Sequence, residues 1–124
     1  MYNEPIKEET AKLAKLKGFD EWCADFYGTY AGYVGMHHDD NSNKYNKGEN
    51  CSAPSQTELQ AWLRVKYHLY VHVATNSITT HFPMIQLAEV GGTQMKGPAY
   101  DKNYRTYEEA LEVGLFETLK LIQI

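Results

Sequence analysis

Between Cys51 and Ala74 the sequence CSAPSQTELQAWLRVKYHLYVHVA passes from helical to strand periodicity without a linker, and this constrains the fold more than any other feature. Pro54 disfavours helical backbone at Ala53. Ser55 and Glu58 have the spacing of a capping box, in which each side chain accepts a hydrogen bond from the other residue's backbone N–H, so a helix starts near Ser55. Leu59, Trp62, Leu63 and Tyr67 recur at intervals of three and four and share one face, while Gln60, Arg64 and Lys66 point elsewhere. An aromatic on such a stripe is a core residue before it is a ligand platform, so Trp62 is read as core. From His68 the period is that of a strand, with Leu69, Val71 and Val73 on one side and His68, Tyr70 and His72 on the other. A helix that runs directly into a strand calls for an α+β fold, with helices packed on a small antiparallel sheet.

The strand continues into a hairpin over residues 68–90. A turn centred on Asn76 and Ser77 sets His72 opposite His81, and Leu69, Val71 and Val73 opposite Met84, Phe82 and Thr80 as the inner face. Pro83 lacks the N–H a ladder needs, so it belongs on an edge or at a bulge, and a bulge there also turns Ile85 and Leu87 inward. Gly91, Gly92, Gly97 and Pro98 break the chain, and a short third strand is expected over residues 99–104. Thr106 and Glu109 repeat the capping-box spacing and open a helix over residues 106–122. Tyr107, Ala110, Leu111, Gly114, Leu115, Thr118, Leu119 and Ile122 form its inward stripe, with Ala110 and Gly114 small enough for close approach to a sheet. The outside carries Glu108, Glu109, Glu112 and Glu117 against Lys120. Phe116 falls off the stripe, so this helix is covered on two sides or Phe116 meets a partner. The C-terminal part therefore reads α-β-β-(β)-α, with Trp62, Leu63, Val71, Leu111, Leu115 and Leu119 in the core.

Earlier in the chain, residues 5–17 form a first helix. Pro5 suits its first position, Glu8 and Glu9 its positive end, and Lys12, Lys15 and Lys17 its negative end. Gly18 ends it as a left-handed cap, and Phe19 makes the accompanying apolar contact. Residues 20–35 are rich in aromatics yet broken by glycines and read as a strand or irregular hairpin, in which Tyr27, Tyr30 and Tyr33 lie half-buried under a loop or, as the less ordinary alternative, build a sticky surface. Residues 36–53 are polar and form a long surface loop within what reads as one domain, residues 1–124.

A net charge of −4 provides no positive field to attract nucleic acid or an anionic membrane, and no apolar run has the length of a membrane span. The polar N-terminus lacks the features of an export signal, and Cys23 and Cys51 have neither disulfide density nor metal spacing, so a cytoplasmic protein with reduced thiols is expected. His37, His38, Asp39 and Asp40 are of metal-ligand type but adjacent in a loop, and His72 with His81 makes only a pair, so no metal site is assigned. There is no nucleophile with a base, glycine-rich phosphate loop or paired catalytic carboxylates, which argues against an enzyme and against a cofactor. The remaining reading is a non-catalytic protein–protein interaction module. Tyr27, Tyr30, Tyr33, Glu108, Glu112 and Phe116 form its candidate surface, and its partner is another protein or a second copy of the chain.

Two resemblances bear on this reading. The segments ETAKLAKLKGFDEWC, CSAPSQTELQAWLRVKYHL and TYEEALEVGLFETLKLI resemble a family of small uncharacterised proteins from gut Bacteroides and their phages or prophages. The resemblance spans the whole chain and departs from the family pattern at Val65 and Tyr67, where the family usually carries Glu and His. It implies a phage- or prophage-associated accessory protein and no particular activity. From Ser55 onward the order of elements is similar to that of the double-stranded-RNA-binding domain, which implies nucleic-acid binding as the alternative function. Such domains grip phosphates with lysines at the start of the last helix, whereas this chain has Thr106, Tyr107, Glu108 and Glu109 there, with Arg105 the only basic residue nearby.

Overall fold

The computed structural model describes residues 5–28, 43, 50–97 and 103–123. In chain order these form α1 (Glu8–Leu16), β1 (Phe26–Tyr27), β2 (Cys51–Ser52), α2 (Gln56–Tyr67), β3 (Leu69–Ser77), β4 (Thr80–Glu89), β5 (Gly92–Gly97) and α3 (Tyr107–Lys120). The strands make two antiparallel sheets, β1–β2 and the meander β3–β4–β5, and the fold class is α+β.

α2 starts as its sequence predicts. Ser55 Oγ accepts from Glu58 N–H at 3.1 Å, and Glu58 Oε1 accepts from Ser55 N–H at 2.8 Å. His68 alone makes the turn from helix to strand. Its N–H still donates to Arg64 O at 3.1 Å, its φ is 58°, and Leu69 already opens β3. Histidine tolerates this left-handed conformation better than most residues do.

The hairpin register differs from the expected one. Ile78 and Thr79 make the turn, and a register break between Thr75 and Ser77 accommodates Asn76. Ser77 Oγ accepts from Thr79 N–H at 3.3 Å and donates to Thr80 Oγ1 at 2.9 Å, so serine's side chain supplies the turn's polar bonds. His72 therefore meets Met84 rather than His81, and His81 meets Thr75. A shift by an odd number of residues also exchanges the faces of β4. Leu69, Val71 and Val73 lie opposite Leu87, Ile85 and Pro83 on the inner face, and Met84 and Phe82 lie opposite His72 and Ala74 on the outer one.

Pro83 needs no bulge in this register. Ala88 N–H donates to His68 O at 2.9 Å, which sets the bonding phase and puts Pro83 at a non-bonded position relative to β3. Its missing donor thus faces the β5 side, where described pairing stops at Ile85 and resumes as a single bridge from His81 to Tyr104. The third strand is also displaced: β5 precedes the expected 99–104, because Val90 and Gly91 (φ 97°) make the turn of a second hairpin and Gly92 (φ 151°) opens the strand opposite Glu89 instead of interrupting the sheet. Residues 98–102 lie outside the described residues.

α2 and α3 pack on the sheet, and α1 packs on α3. Thr106 caps α3, its Oγ1 accepting from Glu109 N–H at 3.1 Å. Gly114 is the point of close approach: a Cβ there would lie 2.9 Å from Val71 Cγ1 and 3.0 Å from Pro83 Cβ. Trp62, Leu63, Val71, Leu111, Leu115 and Leu119 are buried as expected, whereas Tyr107, expected inward, is exposed.

α1 begins at Glu8 and not at Pro5. Pro5 forms an isolated bridge with Ser55, and Ile6, which is fully buried, donates its N–H to Pro54 O at 3.0 Å, so the chain enters the core extended. At the other end the expected cap forms. Gly18 has φ 98°, Phe19 N–H reaches back to Ala14 O at 2.9 Å, and the Phe19 side chain is buried.

The polar loop expected over 36–53 ends earlier than predicted. Cys51 and Ser52 are buried in β2 against Tyr27 and Phe26, because two small residues at the end of a polar run suit a tight pairing that average polarity conceals. No described helix is long and apolar enough to cross a membrane.

Candidate functional site

The cap of α1 and one flank of α2 together build a groove. With Gly18 turning the chain, Phe19 is driven beneath Trp62, their rings edge to face with centroids 5.2 Å apart and planes at 76°. Tyr67 meets the same indole at 5.3 Å and 75°. On α2, Glu58, Ala61, Trp62 and Val65 recur at three- and four-residue intervals, a second stripe beside the core-facing one. Trp22, three residues after Phe19, stands across from this stripe, and the hollow between them has a volume of about 380 Å³.

Trp62 serves both as core, as its stripe predicts, and as part of the groove's lining. Trp22 is 49 % exposed and Val65 74 % exposed, both unusually open for residues of their size and hydrophobicity. Lys66 Nζ lies 5.6 Å from the Trp62 ring centroid and 5.8 Å from that of Tyr67. Glu21 and Glu58 complete the charged part of the lining.

The chain matches no protein-family model, curated protein or solved structure.

Burial pushes the Cys23 thiol from its ordinary 9.0 up to about 12, and the carboxylates of Glu58, Glu21 and Asp25 push in the same direction. Burial also raises Cys51. Both thiols are thus held protonated and are poor nucleophiles at neutral pH. Tyr27, on the strand paired with Cys51, is pushed from 10.0 to about 12, first by burial and then by Glu112 and Glu8.

Because the folded values of Cys23 and Tyr27 are raised, the unfolded chain releases these protons first. Their stabilising contribution is complete below about pH 9 and is lost as pH rises through about 12. Urea unfolding followed across that alkaline range should show the decline, and the double variant Cys23→Ala, Tyr27→Phe should make it shallower.

The surface residues expected from the sequence fare differently. Tyr27 is buried and its hydroxyl donates to Ile6 O at 2.7 Å, so it is a core residue and not part of an interaction surface. Tyr30 and Tyr33 lie outside the described residues, as do His37, His38, Asp39 and Asp40. Glu108 is exposed in the first turn of α3. Glu112, placed on the outer face by the helical period, is only 7 % exposed. Its Oε2 accepts from Lys7 N–H at 3.0 Å and Thr10 Oγ1 at 2.6 Å, and its Oε1 accepts from Gln56 Nε2 at 3.2 Å. It joins three helices and is not a surface contact. The helical period holds, but α1 covers that flank of α3.

Phe116 is half-buried, with Lys120 Nζ 5.0 Å from its ring centroid, and with Glu112 it lines a smaller cleft of about 200 Å³ between α1 and α3. His72 and His81 are not brought together; His81 Nδ1 is 2.9 Å from Thr75 Oγ1. Among the described residues no three His, Cys, Asp or Glu side chains converge.

Sequence reasoning misses Trp22, Val65, Glu21 and Lys66 as a group. The spacing of Glu58, Ala61, Trp62 and Val65 is the available signal on α2. Trp22 has none, because its position depends on how the cap of α1 seats Phe19.

Proposed function

We propose that the protein is a non-catalytic interaction module that captures a segment of a partner protein in the groove between Trp22 and α2. One observation carries this reading: Trp22 and Val65, both exposed, line a preformed hollow together with Trp62. A tryptophan held on a rigid frame is the residue type that dominates binding energy at protein interfaces, and it does so where a pocket excludes water around it. The protonated thiols and the use of Ser55 and Thr106 as helix caps fit a non-catalytic role. The resemblance to small Bacteroides and phage proteins supports an accessory role in a phage or prophage.

Nucleic-acid binding remains the competing function, supported by the order of elements from α2 to α3. The exposed residues Thr106, Tyr107, Glu108 and Glu109 at the start of α3 oppose it, since they offer carboxylates where a phosphate backbone needs cations.

The test is affinity purification from the host with and without nuclease, comparing wild type with Trp22→Ala and Val65→Arg. Both positions are exposed, so the variants should melt close to wild type. Each is expected to weaken a captured partner by about 30-fold, the effect of removing a hot-spot contact. Recovery of the same partners by both variants would overturn the groove as the binding site. Nuclease-sensitive capture, or submicromolar duplex binding at about 0.15 M salt with a steep salt slope, would favour the competing reading.

A further inference from the structure

We propose that the anchor received by the Trp22–Trp62 groove is a cationic side chain, an alkylammonium or a guanidinium, presented by the partner. This rests on the interaction-module reading and names the chemistry that the groove selects.

The aromatic lining comes first. A cation placed within about 6 Å of an indole centroid is attracted by the ring's negative face. The chain already places one of its own there, the Lys66 ammonium at 5.6 Å from Trp62. Trp22 supplies a second indole, half-exposed and therefore accessible to an incoming group.

The charge balance comes second. Among the described residues Glu21 and Glu58 line the hollow and Lys66 alone opposes them, an excess of negative charge. That field is felt locally, since Glu58 and Glu21 both act to keep the neighbouring Cys23 thiol protonated.

Other anchors fit less well. A carboxylate would meet two carboxylates. A purely apolar anchor would take water from Glu21 and Glu58 without replacing their hydration. A lysine or arginine side chain meets both needs, its methylene stem on the indoles and its charged head at the carboxylates. A hollow of about 380 Å³ suits one long side chain with its adjoining backbone. Lys66 is then a competitor, a tethered cation that the partner's residue must displace from the Trp62 ring.

Both tryptophans of the chain line this groove, so intrinsic fluorescence reports on it directly. The probes are four acetylated, amidated pentapeptides, Ala-Ala-X-Ala-Ala, with X as arginine, trimethyllysine, norleucine or glutamate, titrated into the full chain to millimolar concentration. Arginine and trimethyllysine should change the emission and bind about 3- to 30-fold more tightly than norleucine, with glutamate weakest. Glu21→Gln and Glu58→Gln, both at exposed positions, should each weaken the cationic peptides. The amide oxygen introduced by Glu58→Gln can still accept from Ser55 N–H and close the capping box, so the fold is kept. Lys66→Ala should tighten the cationic peptides.

Norleucine binding as tightly as arginine would overturn the cationic anchor and leave the groove reading intact. If no peptide altered the fluorescence of wild type or of Lys66→Ala, both would fall.

Discussion

Leu115→Ala is expected to destabilise the protein by about 2 to 5 kcal/mol in urea unfolding, towards the upper part of that range. Leu115 is completely buried, on the helix that packs against β3 and β4. The cost of such a truncation depends on how far the surroundings can close into the space left behind, and here they cannot move inward. The neighbouring Gly114 already sets the α3 backbone so close to the sheet that a single added methyl would meet Val71 at 2.9 Å and Pro83 at 3.0 Å. Pro83 is rigid and Val71 is β-branched, so neither yields readily. Small domains have only about 5 to 15 kcal/mol of net stability, and a loss of this size would leave the variant partly unfolded at modest temperature. A loss below about half a kcal/mol would mean that α3 does not pack as described.

Glu112→Ala should cost about 2 to 4 kcal/mol and should loosen α1 in particular. α1 has no side-chain cap of its own, because its N-cap residue is Lys7. Glu112, more than a hundred positions later, supplies the acceptor, taking the Lys7 N–H and the Thr10 hydroxyl on one oxygen. Its other oxygen takes Gln56 Nε2, from the first residue of α2. The carboxylate thus sits near the positive ends of two helices while satisfying donors from both. Alanine would leave the Lys7 N–H and the buried Thr10 hydroxyl without this acceptor, whereas Gln56 would keep its bond to Glu108 O at 2.9 Å. Hydrogen exchange should therefore rise across α1 well before it rises in α2. Glu112→Gln should be intermediate, because an amide can accept on one atom only. Unchanged protection of α1 in Glu112→Ala would show that the carboxylate does not hold that helix.

Much of the fold is legible in advance where a local signal is sufficient. The capping box at Ser55, the glycine cap at Gly18 and the switch to strand around His68 each depend on a few adjacent residues and form, whereas at Thr106 the side-chain cap forms without the reciprocal bond, since Glu109 Oε1 accepts from the Thr106 hydroxyl and not from its N–H. The candidate site is less legible. Trp62 is core, as its stripe implies, but its role in a groove depends on Trp22 and Phe19, which belong to a segment with no clear period. Local patterns leave Tyr27 and Glu112 off the main apolar stripes and so point both to the surface. β2 and α1 then cover them.

The α+β class, the starts of α2 and α3 and their inward stripes, Tyr107 apart, follow from local sequence, because helix caps and hydrophobic period act between residues a turn apart. The strand register and the second flank of α3 are settled by packing between elements far apart in the chain. Moving the turn from Asn76–Ser77 to Ile78–Thr79 would by itself keep the same face of β4 inward, but the extra residue Asn76 at the register break makes the net shift odd and so sends the other face inward. The choice falls to the surface that must be buried as a whole, Pro83, Ile85 and Leu87 beneath the helices, and that is a sum over distant residues that no short window of sequence contains.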